Sequence, residues 1–379
     1  MNRSTKVLAL LLCAAPLAIP LQLQAQTRAA APKAARASTY AAPRNSFGQP
    51  DLGGHWTNAS ITKESRPAGL GNRLVYTPAE VADLEGVVQR EVEVGNRPSD
   101  PTKGAPSKGG DPIPTGIRQE LYLGGGGNTG GYDRGWLDPG AAVMRVHGEP
   151  RTSILTTPDG RAPARKTVAG AAPVPGRGGG GGGGGVNSGG PTDNPEQRSL
   201  GDRCILSFGR NAGPPMLANG FYNNNYQIVQ SKDAVAIRTE MVHDTRVVRL
   251  NGKHRTDGVR PYFGDSIGHW EGQTLVVETT NIPQSQAYNG SWQNLTVTEK
   301  FTRVSPTRLF YQYTITDPTL WDAPWGGEYE FAALPTGQHV EEYACHEGNY
   351  ALEDILAGAR AEDRAAATRA AATPAASAR

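Results

Sequence analysis

Charge of one sign is almost absent in excess: Lys+Arg 38 against Asp+Glu 36 leaves a formal net charge of +2. That gives no general attraction for nucleic acid or for an anionic membrane surface. Hydrophobic residues make up 37% and aromatic residues 7% of the 379 positions, enough for one real core but not for burial along the full length. Beyond the first residues no stretch approaches 18 uninterrupted apolar positions, so no membrane-spanning helix is expected there. His-x-His and His-x-x-x-His spacings are missing, the histidines being scattered at His55, His147, His243, His254, His269, His339 and His346. A metal site written locally into the sequence is therefore not expected. A dinucleotide fingerprint is missing too, and no cofactor is expected.

What is present begins with an export signal. Arg3 and Lys6 precede an apolar run from Val7 to Leu21 and the polar stretch Gln22 to Gln26, the pattern of a secretory signal peptide over residues 1–25. The run contains Pro16 and Pro20 and is shorter than the roughly 20 residues a spanning helix needs. Cleavage after Ala25 predicts a periplasmic or secreted protein with no integral membrane segment. Of the three cysteines, Cys13 leaves with the signal, and Cys204 and Cys345 remain. In an oxidising compartment an even pair reads as a disulfide, with two independent thiols as the alternative. A loop of about 140 residues closed this way stabilises by on the order of 4 to 5 kcal/mol in the chain-entropy model.

Composition divides the rest. Residues 26–46 are Ala, Pro and Arg with few large apolar side chains and read as a flexible tail. Residues 47–167 form an N-terminal segment packed on the main core, in which Thr77-Pro78-Ala79-Glu80 starts a helix running to about Val94. Short strand-like pieces follow at 142–146 and 152–156. Residues 168–195 contain the unbroken glycine run Gly178 to Gly185, a flexible insertion rather than a phosphate loop, since no strand, helix or lysine frames it. From 196 to 362 the chain alternates β-branched and aromatic residues between short turn signals. Strands are predicted over 226–230, 234–250, 274–280, 295–304, 309–316, 328–333 and 339–345, followed by a short helix after Asn349 and a fraying Ala and Arg tail over 363–379. The predicted fold is mainly β, an antiparallel meander closed into a barrel or a strongly bent sheet, with a few short helices.

The strings Pro50-Asp51-Leu52-Gly53-Gly54-His55-Trp56, GPPM at 213–216, NNNYQIVQ at 223–230, EMVHDTR at 240–246, GDSIGHWEGQTLVVETTN at 264–281 and EYACHEGNY at 342–350 resemble a large family of exported bacterial proteins with a Pro-Asp-Leu-Ser-Gly-x-Trp start. The resemblance spans about residues 48–362. It implies export and a shared β-rich fold, and transfers no activity. Gly53 replaces the usual serine, and the glycine tract looks like an addition. A weaker likeness is to lipocalins, whose first strand carries Gly-x-Trp; Gly54-His55-Trp56 and Gly268-His269-Trp270 both fit it, and it supports a barrel.

Chemistry is expected first on the long strand 234–250. Alternation there places Glu240, Val242, Asp244, Arg246 and Val248 on one face, with Met241, His243, Thr245 and Val247 on the other. Histidine beside carboxylate suits acid and base work near neutrality, although His243 and Asp244 point apart and the orienting acid must come from a neighbouring strand. An ion pair of Arg246 with Glu240 or Asp244 is the structural alternative. The second group is Cys345-His346-Glu347-Gly348-Asn349 at the end of the last strand, with His346 and Glu347 as catalytic candidates. Glu278 and Glu299 lie inside strands and, if buried, need partners or altered pKa values. Gly264-Asp265-Ser266-Ile267-Gly268 fits the bare nucleophile-elbow pattern but leads into a strand rather than a helix, and reads as a turn. Two functions follow. One is cofactor-independent acid and base catalysis of the hydrolase, lyase or isomerase type on a small polyol, sugar-like or aromatic molecule. The other is a lipocalin-like carrier for an amphiphilic ligand. Both use a barrel cavity lined by Arg246, Trp270, Glu278, Glu299, Phe301, Tyr311, Tyr313 and Asn349.

Overall fold

The computed structural model describes residues 40–98, 102, 116–121, 139–166, 192–207, 209–218 and 222–372. The signal sequence, most of the 26–46 tail and the run Gly178 to Gly185 lie outside the described residues. Eleven strands are formed: β1 Gly54–Thr57, β2 Arg145–Val146, β3 Glu149–Pro150, β4 Asn225–Gln230, β5 Ala234–Thr239, β6 Thr245–Leu250, β7 Asp265–Glu271, β8 Thr274–Thr280, β9 Thr296–Ser305, β10 Arg308–Thr316 and β11 Trp325–Ala333. Two α-helices accompany them, α1 Pro78–Gly95 and α2 Ala351–Ala372.

Nine strands close a barrel in the order β1-β11-β10-β9-β8-β7-β6-β5-β4, with β1 hydrogen-bonded to β4. Period-two alternation explains the inside and the outside. On β9, Val297, Glu299 and Phe301 are buried while Thr298, Lys300 and Thr302 are not; on β6, Arg246 and Val248 are buried and Val247 and Arg249 exposed. All pairings are antiparallel except β6–β7, which is parallel and registers only Arg249 with Ile267 and Leu250 with Gly268. A parallel pair cannot be joined by a tight hairpin. The connecting loop, residues 251–264, therefore arches over the outer face of the barrel, and it carries His254.

The strand predicted over 234–250 is instead two strands folded back on each other. Arg238 pairs with Thr245, and Thr239 N–H donates to the Asp244 carbonyl at 2.8 Å. Val242 and His243 both take left-handed backbone angles, φ 55° and 48°. Such residues cost about 1–3 kcal/mol each, and with no Gly, Pro or Asn to announce the turn, alternation runs straight through it. Residues 339–345 are not a strand either. They belong to a strap that leaves β11 and is tied down by the disulfide Cys204–Cys345, whose Cα atoms are 5.7 Å apart. The piece at 152–156 makes one isolated bridge, Leu155 with Gly327, and Arg151 just before it makes another with Val75.

The N-terminal segment builds a second, smaller core of Ile61, Tyr76, Val81, Leu84, Val88, Leu121 and Val143 beneath α1. The cap on α1 forms reciprocally: Thr77 N–H donates to Glu80 at 2.8 Å and Glu80 N–H to the Thr77 hydroxyl at 3.3 Å. Residues 40–46, assigned to the tail by composition, are held at their C-terminal end, where Arg44 bridges Pro50 and Asp51 N–H donates to the Pro43 carbonyl. Helix α2 continues through Ala372, well past Glu362, where fraying was expected. Its Arg360 donates to the Thr192 carbonyl at 2.7 Å, and Asn349 caps it by accepting from Ala351 N–H at 3.1 Å. No described helix is long and apolar enough to cross a membrane.

Candidate functional site

The two histidines favoured by the sequence are not brought to a carboxylate-lined cavity. His243 sits exposed in the β5–β6 turn, and His346 and Glu347 are exposed on the strap. The expected face of Glu240, Asp244 and Arg246 is broken by the turn. Glu240 accepts from Asn225 at 2.8 Å and from Glu341 N–H at 3.2 Å, while Asp244 accepts from Ser207 N–H at 2.8 Å. Burial pushes the Asp244 carboxyl up, against the pull of Ser207 and His243. Asn349 reaches Cys204 Sγ at 3.2 Å and serves the strap and helix cap.

Arg246 pairs inside the barrel, but not with Glu240 or Asp244. Its guanidinium grips Glu299 of β9 in a bidentate bridge, with Nη2 to Oε1 at 2.8 Å. Tyr311 O–H donates to the same Glu299 oxygen at 2.8 Å and accepts from Met216 N–H at 2.9 Å. Tyr329 O–H donates to the Met216 carbonyl at 2.8 Å and accepts from Asn58 at 3.1 Å. Burial first, then the Glu299 charge, pushes the Tyr311 phenol far above its ordinary value. Phe301, Tyr311, Tyr313, Tyr329 and Phe331 pack against one another with neighbouring ring centroids 4.8–5.9 Å apart. Trp270, partly buried, packs on the same core. Of the side chains expected around a lumen, Arg246, Glu299, Phe301, Tyr311 and Tyr313 are thus filling of the barrel, whereas Glu278 and Asn349 lie outside it. At its mouth a cleft of about 40 Å³ remains beside Asn58, Lys63, Glu64 and Tyr329, room for a water or two.

A histidine held between carboxylates is found outside the barrel wall. The 251–264 loop lays His254 against β7 and β8. Its Nδ1 is 3.1 Å from Asp265 Oδ2 and its Nε2 is 3.1 Å from Glu278 Oε1. Gly264 places Asp265: its φ of 73° is left-handed, and a Cβ there would lie 2.7 Å from Thr279 Cγ2. Asp265 is 5% exposed and accepts from Arg255 N–H and Arg249 Nη2, each at 2.7 Å. Burial raises its pKa, but the Arg255 amide, Arg249 and His254 together outweigh burial and hold the carboxyl below the usual range.

Glu278, named from sequence, is half exposed and shares a cross-strand row with Ile267 and Thr298. That row forms part of an open groove of about 450 Å³, with Asn251, His269 and Val276 on its other sides. Neutral imidazole has one N–H and one lone pair. A neutral ring can therefore donate to one of the two carboxylates, and a protonated ring to both. Glu278 presents its carboxylate to the groove. His254 and Asp265 were not singled out from sequence, because the contact depends on the parallel crossover. Asp265 to Gly268, read from sequence as part of a turn, are instead the first residues of β7, because they pair in register with Thr280 to Val277 of β8. Among the described residues no group of three His, Cys, Asp or Glu is placed to hold a metal ion.

No family model, curated protein or solved structure matches the chain.

Proposed function

We propose that this barrel protein is exported and performs cofactor-independent acid and base chemistry on a small polar organic molecule bound in the outer groove at Glu278. The single observation behind the reading is His254 bridging a buried, ionised Asp265 and a half-exposed Glu278 at 3.1 Å on each side. In this reading Glu278 exchanges a proton with the substrate, His254 resupplies or removes it, and Asp265 fixes the tautomer and orientation of the ring. Asn251, Thr298 and His269 offer hydrogen bonds around Glu278, which favours a hydroxylated substrate of the polyol or sugar-like kind. Export rests on the signal-like start and on the resemblance to exported bacterial proteins. The competing carrier reading needs a lumen for an amphiphile, and the rings around Tyr311 occupy that space.

The test is a turnover screen of wild type, His254→Gln and Glu278→Gln against a mixture of polyols, sugar acids and small aromatics. Consumption of a compound by wild type, lost in both variants, supports the reading. Consumption that persists in both overturns it, as does a screen without turnover in which an amphiphilic dye binds tightly.

A further inference from the structure

The strap that leaves β11 runs from the edge of β1 to the β5–β6 turn. Leu334 N–H donates to the His55 carbonyl at 2.9 Å, Val340 N–H donates to the His55 ring at Nδ1 at 3.3 Å, and Glu341 N–H donates to Glu240 at 3.2 Å. Beyond these, Tyr343 stacks on Tyr222 at 6.5 Å and Cys345 is bonded to Cys204. The third of these anchors stands on a carboxylate and the fourth on apolar rings. The second stands on an imidazole lone pair, and only a ring unprotonated at Nδ1 can accept it.

The surroundings of His55 are poor in negative charge. Trp56 points into the barrel, so His55 lies on the outer face, where cross-strand register sets it beside Gln227 of β4 and then Arg238 of β5. Among the described residues, Arg238 and His339 are the charged and titratable groups that act on it, the latter with ring centroids 5.1 Å apart in an edge-on stack. Gln227 is neutral. Glu240, the carboxylate on the strap's path, is engaged by Asn225 and the Glu341 amide.

We propose that His55 is a pH-operated latch for the strap of residues 334–344: closed while Nδ1 accepts the Val340 amide, released when the ring takes a proton. Protonation turns the acceptor into a second donor aimed at a donor, and it adds a cation beside Arg238 and His339. Val340, 8% exposed when latched, is then uncovered. β11 holds one end of the strap and the disulfide the other, so release makes a tethered loop rather than a free tail. Burial, His339 and Arg238 all lower the affinity of His55 for its proton. The closed form is therefore fully favoured above the ordinary histidine range and is lost as pH falls through the depressed value. The latch makes no use of the His254 centre, and its failure would leave that reading untouched.

Hydrogen exchange at the Val340 amide, corrected for the chemical rate, tests this on the full disulfide-bonded chain at about pH 7.5 and about pH 5. Protection in wild type should fall about tenfold or more at the lower pH, whereas His55→Gln, which keeps a neutral side chain, should show the same protection at both. His339→Gln should keep the drop and move its midpoint upward. An NMR titration of the His55 ring in wild type must share that midpoint. Unchanged wild-type protection, a drop that survives in His55→Gln, or a ring titration displaced from the loss of protection would each overturn the latch.

Discussion

Arg246 and Glu299 meet inside the barrel from β6 and β9, strands that are not hydrogen-bonded neighbours, with their side chains 1% and 0% exposed. A buried pair of this kind recovers its desolvation cost only while both partners and their hydrogen bonds are present. Arg246→Met and Glu299→Met should each destabilise the protein by about 3–5 kcal/mol in urea unfolding, because each leaves the other charge buried without its partner. The double variant Arg246→Met, Glu299→Met should be milder than the sum of the single changes. Additive losses would show that the two groups are held independently.

Acid stability should depend on the start of α1. Arg73 and Thr77 hold the Glu80 carboxyl at about 2, chiefly through the Arg73 bridge, against an ordinary value of 4.5. A depressed carboxylate contributes stability that is present above the unfolded value and lost as pH falls through the folded one. Arg73→Ala should therefore lose stability at neutral pH and show a flatter dependence between about pH 4.5 and about pH 2, read from melts across that range. An unchanged slope would place the acid sensitivity elsewhere.

The strands β8 to β11 and the capped start of α1 were legible in the sequence because alternation and the Thr77/Glu80 pair are local signals. The reversal at 240–244 was not, since Val242 and His243 make the turn without a turn-forming residue. Helix α2 runs further than the short helix expected after Asn349, in keeping with the high helix propensity of the Ala and Arg that follow. At the candidate site, Glu278 was visible as an acid inside a strand. Its partners His254 and Asp265 were not, because the loop between them is set by one parallel pairing that periodicity does not record. Arg246 and Glu299 were each noticed, but what joins them is barrel closure.

Reduction of Cys204–Cys345 should act on the strap more than on the barrel. The bridge joins the segment before β4 to the chain after β11 with a sequence separation of 141, and bonds closing long loops stabilise by about 2–5 kcal/mol. Thermal melts with and without reductant should show a loss of that order. Limited proteolysis should then cut first within residues 334–350, while the barrel stays intact. First cleavage between barrel strands would mean that the bridge supports the sheet itself.

The sharpest contrast lies among the histidines. His346 and His243 are exposed and hold no carboxylate by hydrogen bond among the described residues, so His346→Ala and His243→Ala should change stability by no more than about 0.5 kcal/mol and leave any turnover at wild-type level. Asp265→Asn acts differently. It keeps an oxygen for the Arg255 amide but removes the charge that faces His254 Nδ1 at 3.1 Å, so the orientation of the ring is no longer fixed by a carboxylate. Turnover should fall in Asp265→Asn about as far as in His254→Gln, and its pH profile should shift, since the carboxylate against the His254 ring is removed. A purely structural Asp265 would lower the melting temperature and leave the profile of the remaining folded protein where it was. Measuring the pH dependence of kcat/KM for wild type and Asp265→Asn, alongside melts of all four variants, separates a proton-transfer centre from a surface ion pair. Loss of activity in His346→Ala with an intact profile in Asp265→Asn would move the site back to the strap.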